Sequence, residues 1–230
     1  MAGKKDADFI GNLGIVSETG LATLSSCLES IRKYHPDAPI YVIDSASSDQ
    51  SYHLHVEEKY NVTVDYAQNK NYPAGTVRHA YMNYPEIEYF YFLQDSHVVH
   101  DNLEDCLSFD LTTISWWDCH KGVARNRSGR GFGFRDQENI DLCAKWLEEH
   151  TSYTLPDLFT GCWGSLMFCK RHVLETLEGV GYFNILPTNK REDQMMERLT
   201  GVVLESAGFN LKEHSLRNTG RLTKKFCGRK

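Results

Sequence analysis

The feature that most limits the fold is an alternation running through residues 9–95. Short β-rich, apolar runs at 9–16, 40–44, 62–67 and 89–93 are separated by helical segments at 19–34, 51–60 and 76–84. In 19–34, Leu21, Leu24, Leu28 and Ile31 recur at intervals of three and four, which is one stripe of an amphipathic helix. Strands alternating with helices need right-handed crossovers and give an α/β sheet that is mostly parallel. Ligands of such sheets bind beyond the carboxyl ends of the strands. Two of the runs, "IYVID" and "YFYFLQD", stop there on acids, Asp44 and Asp95. The two carboxylates are therefore expected on one crevice.

The second half is less regular. "RNRSGRGFGFRDQEN" sets Arg125, Arg127, Arg130 and Arg135 among glycines and reads as a loop. Residues 140–150 have helical spacing. Residues 158–177 read as a turn, a strand and a helix. Residues 191–208 read as a long helix closed by Gly208 at C′. With no repeat and no convincing linker, one domain over 1–230 is expected.

Charge and cysteine usage narrow the function classes. The net charge of −6, from 25 basic and 31 acidic residues, argues against a general nucleic-acid binder. The stretch 217–230 is basic throughout, with Arg217, Arg221, Lys224, Lys225, Arg229 and Lys230. It reads either as a solvated tail or as a contact for an anionic ligand. Seven cysteines with no CxxC pair fit neither a disulfide framework nor a zinc knuckle, and scattered thiols fit a reducing compartment. No apolar leader and no run of about 18 apolar residues is present, so a soluble, cytoplasmic protein is expected.

Three constellations could carry chemistry. Asp95 and His97 sit at i and i+2 and can share a ligand where the strand frays. Carboxylate plus imidazole suits Mn²⁺, Fe²⁺ or Zn²⁺ better than Mg²⁺; the alternative is a surface turn in which Asp95 caps a helix. Asp44 can accept from a nucleobase or ribose, with Ser45, Ser47 and Ser48 as donors; the alternative is helix capping, which suits Ser48 or Asp49 better. Glu192 and Asp193 open the long helix, where a charged carboxylate is favoured by the macrodipole; plain first-turn acid enrichment is the alternative.

In order, "IDSASSDQS", "NYPAGTVRHAYMN", "YFYFLQDSHVV", "FTGCWGSLMFCKRHVLETL" and "NKREDQMMERLTGVVLESAGF" resemble the motifs of the family 2 type of nucleotide-sugar glycosyltransferase with the GT-A fold, over about residues 9–214. The likeness is to its compact bacterial or viral members. It implies a Rossmann-like, mostly parallel sheet, with residues 1–100 as the nucleotide-sugar half and 101–230 as the acceptor half. It also implies roles. Asp44, with Ser45 and Ser47, would read the base, and Ser17 and Glu18 would contact base and ribose. Gly75 and Arg78 would approach the ribose and diphosphate. Asp95, Ser96 and His97 stand at the metal motif, with His97 in place of its last acid, and His214 resembles a late histidine that closes the metal or diphosphate site. Asp193 resembles the catalytic base, with Glu192 as neighbour or substitute. Gly161, Cys162 and Trp163 resemble the acceptor wall. His79 stands where the family has asparagine.

The implied activity is an inverting transfer from a nucleotide-diphosphate sugar, UDP among the candidate carriers, to a hydroxyl of a glycan, assisted by Mn²⁺ or Mg²⁺. The 125–135 loop reads as a lid over the diphosphate or as a solvated loop. Arg217, Arg221 and Lys224 could reach the phosphates if His214 returns the chain to the site. Trp163 is expected to stack on a sugar, and one of Trp116 and Trp117 to pack in the core. Competing readings are transfer to hydroxymethylated bases of viral DNA, nucleotidyl transfer, and a non-catalytic nucleotide-sugar-binding module. "GNLGIVSETG" has glycines but no lysine or arginine, which disfavours nucleotidyl transfer.

Overall fold

A computed structural model describes residues 8–13, 18–45, 50–51, 53–67, 72–121, 135–216 and 218–224. The alternation of the first half is realised as β1 (Asp8–Leu13), α1 (Glu18–Tyr34), β2 (Ile40–Asp44), α2 (His53–Tyr60), β3 (Thr63–Tyr66), α3 (Tyr72–Asn83) and β4 (Tyr89–Gln94). Helix α3 begins four residues before its expected start at Thr76. "NYPAG" reads as a turn, yet Pro73 lies in the first helical turn, where its missing N–H leaves no bond unmade.

The second half adds β5 (His97–Val99), β6 (Leu111–Thr113), β7 (Trp116–His120), α4 (Arg135–His150), β8 (Leu158–Cys162), β9 (Met167–Lys170), α5 (Arg171–Gly179), α6 (Lys190–Ser206) and β10 (Leu222–Lys224). The main sheet has six strands in the order β3-β2-β1-β4-β9-β6. The first four are parallel, whereas β9 runs antiparallel to both β4 and β6. The sheet is thus mixed rather than wholly parallel. Two small antiparallel ribbons, β5 with β10 and β7 with β8, flank it.

Strand β4 shows why the chain folds this way. Its side chains alternate between two buried cores. Tyr89, Tyr91 and Leu93 pack with α1, α2 and Phe168 on one face. Phe90 and Phe92 pack with α3, α4, α5 and α6 on the other. A strand covered on both faces reads as a continuous apolar run, as YFYFL does.

Helix α6 is fixed at both ends. The Asn189 side chain accepts from the N–H groups of Arg191 and Glu192 at its start. At its end Gly208, with φ +95°, donates to the Glu205 carbonyl and Phe209 donates to the Leu204 carbonyl, as expected for a C′ glycine. In between, Gly201 lets the helix lie directly on β8. A Cβ there would stand 1.7 Å from the Thr160 carbonyl oxygen, a backbone atom that cannot swing aside. Gly201→Ala is therefore expected to destabilise the protein by about 3 kcal/mol, read as a lowered urea midpoint with an unchanged slope.

Candidate functional site

The parallel strands deliver their last residues to one edge of the sheet. Asp44 lies beside Leu13, and Gln94 lies beside Asn12, so β1 alone separates the ends of β2 and β4. At ordinary strand spacing that is about 10 Å. Beyond β4 is a cleft lined by Gln94, His97, Ser115, Trp163, Leu216 and Lys224, among others.

Asp95 and Ser96 form the half-buried turn that follows β4. Burial raises the Asp95 carboxyl above its ordinary value, and Lys224 opposes that shift. His97 is 6% exposed, and its Nδ1 accepts the Gln94 N–H at 2.9 Å. Burial, then the charge of Lys224, lowers its pKa to about 4. The neutral ring therefore carries its hydrogen on Nε2. Lys224 closes the cleft from β10, opposite His97 in the β5–β10 pairing. Its Nζ donates to Gln94 Oε1 at 2.6 Å and lies 4.8 Å from the centre of the Trp163 ring.

The second group comes from α6. Asp193 is 2% exposed, and Lys190 Nζ meets its Oδ2 at 2.5 Å. Burial raises the Asp193 carboxyl, and Lys190 works against that. One turn on, Glu197 Oε1 accepts the Gly164 N–H at 2.9 Å. Burial, with the charge of Asp193 next, raises Glu197 to about 7. The two groups are contiguous. Gly164 follows Trp163 in the chain, and Lys224 feels the charges of Asp95, Lys190 and Glu197.

Other expected site residues lie elsewhere or in other roles. Asp44 is fully buried, with His53 Nε2 3.2 Å from its Oδ2 and the other ring nitrogen 2.7 Å from the Tyr66 hydroxyl. Ser45 Oγ lies 3.5 Å from Thr76 Oγ1. Gly75 is buried in the first turns of α3. Arg78 Nε donates to the Phe183 carbonyl, tying α3 to the turn before α6. His79, at the family's asparagine position, meets Asp65 at 2.6 Å. Glu192 belongs to the helix cap, taking the Thr188 N–H at 2.6 Å and the Asn189 amide at 2.8 Å. Those bonds, the Thr188 N–H first, lower its pKa, so first-turn enrichment describes it better than catalysis.

His214 does not reach the cleft. Its ring stacks on Phe109, centroids 3.5 Å apart, at the entrance of β6, whereas Ile114 and Ser115 line the cleft beyond that strand's exit. The chain then follows β6 through a bridge at Ser215 before turning into the cleft. Among the described residues, no three His, Cys, Asp or Glu side chains are grouped to hold a metal ion, so Asp95, His97 and His214 do not assemble as one ligand set. Gly161 and Cys162 are buried, with the Trp117 ring lying over Gly161, which leaves Trp163 (42% exposed) as the only accessible member of the expected acceptor wall. Trp117 is partly buried against the larger core.

Ser17, Ser47, Arg217, the 122–134 part of the arginine loop and residues 225–230 lie outside the described residues, as does the side chain of Glu18. Glu197 is the site residue that the sequence reading lacks. Its signal is the i, i+4 spacing from Asp193, which puts both carboxylates on one helix face. Among the described residues, no helix is long and apolar enough to cross a membrane.

No protein-family model matches the chain, and no curated protein matches it. Solved structures do. The chain matches S. aureus TarS 1-349 with TM-score 0.47 and 17% identity, over 86% of this chain and 55% of that one. It matches the same protein in complex with UDP-GlcNAc with TM-score 0.44 and 17% identity, over 85% and 54%. Core-mannan synthase A from Aspergillus fumigatus, in its Mn/GDP form, matches with TM-score 0.49 and 9% identity, over 90% of this chain and 70% of that one. The chain thus spans about half the length of the TarS chain it matches.

Glu197 gives the site a pH signature. A carboxyl raised from 4.5 to about 7 in the folded state supports folding at low pH and loses that contribution as pH rises through about 7. Glu197→Gln should gain stability relative to the wild type between about pH 4.5 and pH 8, by about 3 kcal/mol. Urea unfolding of both proteins across that range measures the difference, and a constant gap would contradict the buried, raised carboxyl.

Proposed function

We propose that the chain is a GT-A type glycosyltransferase that moves a sugar from a nucleoside-diphosphate sugar to an acceptor hydroxyl of a glycan. The observation that carries this reading is the meeting of two groups at the carboxyl edge of the sheet. Asp95 and Lys224 stand on the β4 side. Asp193 and Glu197 stand on α6. Trp163, half exposed, lies between them.

That arrangement suits the chemistry. As the acceptor oxygen bonds to the sugar C1, the bond from C1 to the β-phosphate oxygen breaks, and its electron pair leaves on the phosphate. A single displacement from the opposite face inverts the anomeric centre. The acceptor proton passes to a carboxylate within hydrogen-bond reach, the role proposed for Asp193. Burial raises that carboxyl, and Lys190, at 2.5 Å, favours its ionised form. Glu197, raised to about 7, holds the Gly164 N–H and with it the turn that presents Trp163. The Trp163 face offers a platform for the C–H surface of a sugar. The diphosphate would lie at the Asp95–Lys224 end, and Asp44, two strands away, marks the direction of the base.

Divalent-ion chemistry does not fit the donors present. His97 has its Nδ1 engaged by a backbone N–H and its hydrogen on Nε2, and the charge next to Asp95 is an ammonium.

Asp193→Asn should lower turnover by about 10²- to 10⁴-fold while donor binding persists. A panel of UDP- and GDP-sugars, followed by release of nucleoside diphosphate with and without an oligosaccharide acceptor, measures this. Turnover of none of the donors by the wild type would sink the reading.

A further inference from the structure

We infer that Lys224 is a built-in cation for the leaving diphosphate, so that sugar transfer by this chain proceeds without a divalent metal ion. This rests on the glycosyl-transfer reading of the same site.

The position of Lys224 is constructed rather than incidental. Strand β10 pairs antiparallel with β5, and Lys224 lies opposite His97. Arg221, three residues earlier, clamps the strand. It donates to both Asp105 carboxylate oxygens, at 2.9 and 2.6 Å, and its Nε lies 3.5 Å from Asp101. His100 adds a backbone bond to the Arg221 carbonyl at 2.8 Å and a ring contact with the Thr223 hydroxyl at 2.6 Å. A lysine on such a strand loses little further freedom on meeting a ligand, unlike one on a loose tail.

The surroundings keep its charge available. The hydrogen-bond partner of Nζ is the neutral Gln94 amide, not a carboxylate, and an ammonium has three donors. Burial lowers the Lys224 pKa from its ordinary value, and the charge of Asp95 opposes that shift in favour of the ammonium. Among the described residues, the other ammonium near the site, Lys190, is held at 2.5 Å by Asp193. Among these residues Lys224 is therefore the cation placed for an incoming anion at the end of β4. It stands beside Asp95, where the metal-motif resemblance would put an ion, and an ammonium and a divalent cation repel one another there. As the C1–O bond breaks, the β-phosphate gains the electron pair, and a fixed positive charge stabilises it without reorganisation.

Calorimetric titration with UDP and with GDP in excess EDTA tests the inference, alongside donor turnover in EDTA and in Mn²⁺. The wild type should bind one of the two, and turn over its sugar, equally in EDTA and in Mn²⁺. Lys224→Met should weaken diphosphate binding by about 10- to 100-fold and leave binding of the parent nucleoside unchanged. Lys224→Arg should retain most of the affinity, and circular dichroism should show both variants folded. If binding and turnover require Mn²⁺, or if both variants bind like the wild type, the inference is overturned and the glycosyl-transfer reading stands. If neither nucleoside diphosphate binds and no donor is turned over in EDTA or in Mn²⁺, that reading fails and the inference with it.

Discussion

The two edges of β4 decide where everything else in this molecule lies. One edge bonds in parallel to β1, so that β4 ends where β1 and β2 end. The other bonds antiparallel to β9, so that β9 begins where β4 ends. The reversal places the Trp163–Ser165 turn, which immediately precedes β9, at the carboxyl edge of the four parallel strands, all drawn from the first hundred residues. Helix α6 packs on that turn and on β8. Residues about a hundred positions apart are thereby assembled on one cleft, with strand pairing rather than any single side-chain contact as the cause.

Burial then sets the electrostatics. Asp193 and Glu197 lie on the same face of a helix that is buried for most of its length. Two carboxyls in one apolar setting cannot both ionise at low cost. Here they are differentiated: Asp193 has Lys190, whereas Glu197 has a backbone N–H and a pKa near neutrality. On the β4 side, burial lowers both His97 and Lys224, leaving the His97 ring neutral, while Asp95 opposes the shift on the Lys224 ammonium. The site thus holds both signs, with Lys190 set against Asp193 and the Lys224 ammonium bonded to a neutral amide.

Much of this was legible in the chain. The run YFYFL announces a doubly covered strand because every position is apolar. Asp44 and Asp95 announce strand ends because a carboxylate does not continue such a run. Gly208 announces a helix end because only the left-handed region closes a helix that way. What was not legible depends on partners far away in sequence. Strands β5, β6 and β10 span three residues each, too short to show alternation, and exist because neighbours pair with them. His97 reads as a metal ligand until the Gln94 N–H is seen to occupy its Nδ1. His214 reads as returning to the site, but the stack on Phe109 takes its ring out of reach, and Lys224 arrives instead. Glu192 and Asp193 are adjacent acids with opposite fates, because a helix turns 100° per residue and only one of the two faces inward.

The contact between Gly201 and Thr160 has a mechanical meaning. Backbone meets backbone there with no side chain between, so α6 and β8 cannot slide past each other without a collision. Asp193 and Glu197 ride on one partner, and the Trp163 turn leaves directly from the other. The two carboxylates and the aromatic platform consequently keep their mutual spacing as one stiff block.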